Sequence, residues 1–532
     1  MTKRPNFVFF MTDQHRADWL GCYGHPVVNT PHIDSIAASG IRFDNFHVAS
    51  PICMPNRASF MTGRMPSVHG LRYNGCVLPE DANTFVDILA ADGYATASFG
   101  KSHLQPFLDL PRLSPTNPSP GPIPEAWKPL SRNYQAPIYK QEEPGSYVDD
   151  DRYIFPTPYY GFQTVDMVTS HGDRCGGHYQ QWFKQQAGDW QALHDPANEL
   201  PHDYICPQAY RTPIPETFYP THYIAERAID YLDGQADKDE PFFTYISFPD
   251  PHHPFNPPGK YWDQYSPDDF PVELPFSSHK NPNPVMQLLQ EQYQTGVAQL
   301  TPQMMMVQGD REIREARALT AGMISCVDDA IGHVLDALRA NGQLDNTIIC
   351  FSSDHGDYLG DFNLLLKGSI PFRGITRVPF IWSDPGNRAN AGSVCRALSS
   401  TIDISATICE RTGLSPYNGI QGKSLIPLME TEALNNEQGV RDALLIEFNE
   451  SSPRLCFEES ARVRSLITPE WRYTIYGGLE WGELYHLADD PQETHNLWDE
   501  PAYRRIRGVL AEQLCHQLTA QMDESPESIR LA

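Results

Sequence analysis

Five apolar runs along the chain share one pattern: each is short, nearly continuous and closed by polar residues. They are NFVFFMT (6–12) before Asp13-Gln14, YATASFG (94–100) before Lys101-Ser102-His103, and PFFTYISF (241–248) before PDPHHP (249–254). The other two are NTIICFSS (346–353) before Asp354-His355-Gly356, and VPFIWS (378–383) before Asp384-Pro385-Gly386. Runs of this length without polar alternation predict strands buried on both faces, as in a parallel sheet. Stretches with helical periodicity lie between them, at 32–40, 83–93, 222–234 and 318–342. The alternation predicts an α/β protein built on a large, mostly parallel sheet flanked by helices.

In open sheets of this kind, ligands bind at the carboxyl edge of the strands. Asp13, Gln14, Lys101, His103, His252, Asp354 and His355 all follow predicted strands. The pattern therefore predicts that these residues converge although they are far apart in the chain.

Two stretches interrupt the alternation. Residues 105–165 are rich in Pro, Tyr and acidic residues, with DDD at 149–151, and residues 255–310 are Pro-rich, with QMMM at 303–306. Connections this long are usually functional or interaction elements. They are expected to shape a substrate pocket and to mediate a homo-oligomer. The Met run reads as core or subunit contact rather than a metal site. After about residue 430, DALLIEFNE, ARVRSLITP and WRYTIYGG read as antiparallel strands, followed by ELYHLADDPQETHNL and a terminal helix. The expected organisation is a catalytic domain over 1–430, with insertions near 105–165 and 255–310, and a smaller α+β domain over 431–532.

A chain of 532 residues has room for both. Its formal charge of −27 sets it against nucleic acid and anionic lipid, so an anionic substrate must meet a local basic pocket. No run approaches membrane-spanning length, and the N-terminus lacks the longer apolar region of a signal peptide. The expected location is the cytoplasm, with no membrane and no nucleic-acid partner. The eleven cysteines are scattered, with no CxxC, which predicts buried thiols rather than disulfides or a zinc knuckle.

The stretch PICMPNRASFMTGR (51–64) stands apart. Pro55 suits a first helical turn and Gly63 a stop, so 55–62 reads as a short helix with Cys53 at its positive end. A lone cysteine is most often structural. A thiolate phosphatase of the Cys-x5-Arg type is rejected by spacing, because Cys53 and Arg57 form Cys-x3-Arg and position 59 is serine. Cys53-Met54-Pro55-Asn56-Arg57 with Thr62-Gly63-Arg64 matches a third pattern, Cys-x-Pro-x-Arg followed by Thr-Gly-Arg.

On these motifs, together with PNFVFFMTDQ, TPHIDSIAASGIRFDNFHV, GKSH, PDPHHPF, SDHGDYLGD with Lys367, and ELYHLADDPQETHNL, the chain resembles the type I sulfatases of the alkaline phosphatase superfamily. The resemblance spans nearly the whole length. It implies an alkaline phosphatase-like fold, with a large mixed, mostly parallel sheet flanked by helices, and hydrolysis of a small sulfate ester. It also implies that a formylglycine-generating enzyme oxidises Cys53 to formylglycine, an aldehyde whose hydrate is the nucleophile, with Arg57 holding it. Asp13, Gln14, Asp354 and His355 are implied as ligands of one divalent ion, an oxygen-rich set with one imidazole that suits Ca²⁺ or Mn²⁺ and admits Zn²⁺. Lys101 and Lys367 are implied to bind the sulfate. His252, ahead of its neighbour His253, would protonate the leaving oxygen, and His103 would take the proton whose loss frees sulfate. Asp354 is the candidate for deprotonating the attacking hydroxyl. Asn74, in RYNG, is read equally as a turn residue and as a substrate contact. The pairs Asp13-Gln14 and Asp354-His355 look more like the phosphonate monoester hydrolase branch, whereas Lys101 with His103 looks like a sulfatase. The second function in view is therefore a phosphonate monoester or phosphodiester hydrolase with the same nucleophile, and overlap between the two is expected. A third is a non-enzymatic anion-binding protein, against which the full set of polar candidates argues.

Overall fold

Alternate residues of Asn6–Thr12 serve two different cores. Val8 and Phe10 pack into one hydrophobic cluster, Phe7, Phe9 and Met11 into another, and all seven residues of the strand are buried. That is the physical reason for the continuous apolar run: neither face meets water. At roughly 1.5–3 kcal/mol for each large apolar side chain buried, such strands dominate the stability of the sheet. Phe242–Ser247 and Thr347–Ser353 are buried throughout in the same way.

The computed structural model describes residues 4–108, 137–149, 151–296, 305–436, 439–525 and 528. Among the described residues the main sheet has nine strands. Its centre is a parallel set in the order Thr347–Ser353, Asn6–Thr12, Phe242–Ser247, Ala95–Gly100 and Thr164–Thr169. Two features depart from expectation. Phe380–Ser383 is a strand as predicted, but it runs antiparallel to Thr347–Ser353. Thr164–Thr169, at the end of the 105–165 stretch, is a full strand of the sheet.

The helices Pro31–Ser39, Pro220–Asp233 and Asp310–Ala340 cover the Val8 face through residues such as Ile33, Ile224 and Leu319. Cys53–Thr62, Phe85–Ala91 and Asp403–Thr412 cover the Phe9 face. By length and composition, Asp310–Ala340 is apolar enough to cross a membrane, which corrects the expectation that no segment reaches that length. However, 89% of its most apolar window is buried inside the protein, as in a core helix.

Leu444–Asn449, Arg462–Ile467, Trp471–Tyr476 and Gly482–His486 form a separate four-stranded antiparallel sheet. The ELYH segment supplies its last strand. Arg504–Ala520 packs on this sheet through Leu510 and Leu514, beside Leu466 and Leu484. All eleven cysteines are free thiols, and seven of them are buried. Of the QMMM run, Gln303 and Met304 lie outside the described residues. Met305 and Met306 are buried, and Met306–Val307 pairs antiparallel with Leu364–Leu365, so this part of the run is core.

Candidate active site

The carboxyl edge of the parallel strands brings the predicted residues together. Asp13 and Gln14 follow Asn6–Thr12, Lys101 and His103 follow Ala95–Gly100, and Asp354 and His355 follow Thr347–Ser353. His252 lies just beyond Phe242–Ser247. All of these, with Cys53, Arg57 and Lys367, are buried. Lys367 arrives from outside the parallel set, just past the Leu364–Leu365 strand that Met306–Val307 holds. Three turns at the site have non-glycine residues in the left-handed region: Gln14 (φ 62°), His103 (φ 58°) and Leu366 (φ 68°). Each costs about 1–3 kcal/mol, and such conformations cluster at functional sites. Gly100 (φ 102°) is required before Lys101, because a Cβ there would lie 2.0 Å from the Ser247 carbonyl oxygen.

The helix that carries Cys53 begins at Cys53 itself and runs to Thr62, with Gly63 closing it at φ 59°. Asn74 acts locally, as its Oδ1 accepts from the Met54 N–H at 3.2 Å, at the open end of this helix. Asn56 ties the helix to the strand edge, donating to the Asp354 carbonyl at 2.6 Å and accepting from the Ala49 N–H at 2.9 Å.

Arg57 is the centre of the electrostatic frame. Its Nε donates to Asp354 Oδ2 at 2.7 Å, and another guanidinium nitrogen lies 3.3 Å from Asp13 Oδ2. It also donates to the Lys101 carbonyl at 2.9 Å and to Ser247 Oγ at 2.8 Å. Arg57 therefore orients two carboxylates and joins four strand ends. Lys101 Nζ forms a close ion pair with Asp13. Burial alone would raise the Asp13 pKa, but Lys101, Arg57, Lys367 and His355 hold it well below the usual carboxylate range.

Cys53 Sγ lies 3.0 Å from His355 Nε2 and 3.2 Å from Lys367 Nζ, with Asp13 Oδ1 at 3.8 Å. Burial and Asp13 push the thiol pKa up, but Lys367, His355 and Lys101 outweigh them and leave it below its ordinary value. Lys367 Nζ also contacts Gln14 Oε1 at 3.0 Å and His252 Nε2 at 2.9 Å. Since Lys367 donates, His252 Nε2 is the acceptor and its Nδ1 faces the His253 carbonyl. Burial and the neighbours His171, His253, Lys367 and Lys101 keep His252 far below its ordinary pKa. Burial and Lys101 do the same to His103.

Ligand atoms of Asp13, Cys53, Asp354 and His355 lie within 4.8 Å of one another. Two carboxylates and an imidazole in a buried site, with the Gln14 amide alongside, suit a divalent cation. Gln14 is oriented by Asp357, whose Oδ2 accepts from Gln14 Nε2 at 2.5 Å. A second group, Asp13 with His171 and His252, is gathered as closely. The Lys101 ammonium already fills it, bonded to Asp13 and 2.7 Å from His171 Nε2.

His171 is a site residue the sequence reading missed. Its ring stacks on His252 at 3.5 Å with planes 9° apart. The signal was present: TVDMVT ends in Ser170-His171-Gly172-Asp173, the same run-then-polar pattern. Asp357 and Asn56 were also missed as individual residues, although both lie inside the motifs SDHGDYLGD and CMPNR.

Residues 5–111 and 133–414 match the sulfatase family, and residues 370–521 match the C-terminal region of N-sulphoglucosamine sulphohydrolase. The arylsulfatase of Clostridium perfringens is 27% identical over 527 residues, covering 96% of this chain and 94% of that protein. The multifunctional alkaline phosphatase superfamily protein PehA of Trinickia caryophylli is 26% identical over 532 residues, covering 94% and 93%. The crystal structure of the phosphonate monoester hydrolase of Agrobacterium radiobacter shares the fold, with a TM-score of 0.74 at 24% identity over 98% of this chain and 97% of that one. The chain belongs to the sulfatase family, hydrolases of sulfuric ester bonds.

Proposed function

We propose that this protein hydrolyses a small sulfate monoester with a nucleophile made from Cys53. The observation that carries this reading is the position of Cys53 Sγ, at the start of a helix and within 3.2 Å of both His355 Nε2 and Lys367 Nζ. A formylglycine-generating enzyme would convert Cys53 to an aldehyde whose hydrate offers one hydroxyl for attack on sulfur and a second for release of sulfate. A divalent ion held by Asp13, Gln14, Asp354 and His355 would supply Lewis acidity at a sulfuryl oxygen.

The remaining work falls to side chains of this chain. Lys101 and Lys367 are buried cations, preorganised for the negative charge of the ester and its transition state. The Lys367–His252 pair presents a proton to the leaving oxygen from a contact of 2.9 Å. His103 is the base for the proton whose loss frees sulfate. Asp354, fixed by Arg57, assists deprotonation of the attacking hydroxyl.

A second reading is hydrolysis of phosphonate monoesters or phosphodiesters. Gln14 and His355 in the ligand set support it, as does the fold likeness to the Agrobacterium enzyme. Comparing kcat/KM for an aryl sulfate, a phosphodiester and a phosphonate monoester, with fully converted enzyme, tests the choice. Preference for the aryl sulfate supports the first reading, and preference for either phosphorus ester replaces it with the second.

A further inference from the structure

The 105–165 stretch sends one carboxylate into the protein against the turn that carries His103. Glu142 is fully buried. Its Oε2 accepts from the His103 N–H at 2.9 Å, and its Oε1 accepts from the N–H groups of Leu104 at 2.9 Å and Gln105 at 3.1 Å. The Tyr159 hydroxyl donates to the same Oε1. The contact is reciprocal, because Gln105 Oε1 accepts from the Gln141 N–H at 2.9 Å and Gln105 Nε2 donates to the Ile138 carbonyl at 2.8 Å. Three successive backbone donors converging on one carboxylate form an anion nest that the side chain fills.

The turn it holds is an unfavourable one. His103 sits at φ 58°, where a side chain is strained, and its ring stacks on Phe107 at 3.9 Å. Its Nδ1 is buried and has no hydrogen-bond partner among the described residues. A left-handed histidine with an unmet ring nitrogen keeps that geometry only if the surrounding structure imposes it.

We infer that Glu142 is a positioning residue for catalysis: its carboxylate, clasping the 103–105 backbone, fixes the His103 imidazole at the active site. The kinetic consequence rests on the role proposed above for His103. The geometric consequence does not.

Glu142→Gln keeps the shape but turns an amide NH₂ toward N–H donors. The test takes this variant, His103→Ala and the double variant, each checked for folding by thermal unfolding, with a crystal structure of Glu142→Gln. Glu142→Asp, which keeps the charge and shortens the reach, carries the same readouts if the Gln variant does not fold. The expected result is a displaced 103–105 backbone and a kcat lower by about tenfold or more, with KM within about twofold. In the His103→Ala background, the same change should cost less than about twofold, because the pair acts as one unit. An unchanged 103–105 backbone with His103 still stacked on Phe107 would overturn the inference, as would an equal loss of kcat with and without His103. If His103→Ala itself retains full kcat, the role assigned to His103 fails, and the crystal structure alone decides whether Glu142 positions the turn.

Discussion

Lys367 Nζ lies 3.2 Å from Cys53 Sγ and touches no carboxylate among the described residues; its other contacts are Gln14 Oε1 and the Nε2 atoms of His252 and His355. Lys101, the other lysine buried among the described residues, is bonded to Asp13. The two cations line the same candidate site but differ in their direct partners.

Their replacement by alanine should therefore agree in kinetics and differ in stability. Either change should lower kcat/KM by roughly 10²-fold or more, the range for a lost transition-state donor. Lys367→Ala removes a cation whose contacts include the neutral acceptors Gln14 Oε1 and His252 Nε2, and should lower Tm by less than Lys101→Ala does. Lys101→Ala strips a buried carboxylate of one partner and should lower Tm. Steady-state kinetics and calorimetry on both variants check this. Unchanged kinetics in either would remove that lysine from the site.

Metal removal should give a folded but inactive protein. The carboxylates of Asp13 and Asp354 are balanced by Arg57 and Lys101 without any ion, so chelation should not unfold the chain. Activity should return with Ca²⁺ or Mn²⁺ at one ion per chain. A metal-replete crystal should place that ion among Asp13, Gln14, Asp354 and His355, at about 2.0–2.6 Å from their ligand atoms. Full turnover in chelator, or a crystal with Asp354 turned away from the ion, would contradict the assignment.

Acid should destabilise the fold partly through His69. Its Nδ1 accepts from the Leu71 N–H at 3.2 Å and its Nε2 faces Ser59 Oγ at 3.1 Å. Burial, with a smaller push from Arg64, lowers its pKa from 6.5 to about 3. Below pH 6.5 the unfolded chain takes up a proton that the folded one refuses. Stability from this residue is therefore complete above about pH 6.5 and falls as pH drops toward about 3, by about 1.4 kcal/mol per unit. Chemical denaturation between about pH 6 and pH 4 should show a shallower slope for His69→Asn than for the wild type. Equal slopes would show that His69 is protonated in the folded state.

The parallel strands were legible because their residues are buried on both faces, and the site was legible because the polar residues at those strand ends meet. Thr164–Thr169 was not, because Asp166 breaks its apolar run. That carboxylate is buried against the Tyr223 hydroxyl and Arg152, both at 2.6 Å and both supplied from elsewhere in the chain. His171 was lost with that strand. The reversed direction of Phe380–Ser383 was also unreadable, since a strand buried on both faces looks the same either way. The start of the long helix at Asp310 was hidden by charge: DREIREA reads as surface, yet Ile313, Glu315 and Ala316 are buried. Glu142 needed three dimensions, because its meaning lies in three backbone N–H groups about forty residues earlier.

The proposed chemistry depends most on Cys53 being changed before the enzyme works. A serine at 53 supplies a hydroxyl for attack but not the second hydroxyl that releases sulfate. Cys53→Ser should therefore become sulfated once and stall, and Cys53→Ala should not react. A Cys53→Ser protein that turns over repeatedly would show that the second hydroxyl is dispensable.

The most direct measurement compares turnover of an aryl sulfate with the fraction of converted 51–64 peptide, read by mass spectrometry, in preparations made with and without a formylglycine-generating enzyme. The account predicts that kcat rises in proportion to that fraction and vanishes in the all-thiol protein. An all-thiol preparation that turns over as fast as a fully converted one would contradict it, and would point instead to a thiolate at the helix terminus.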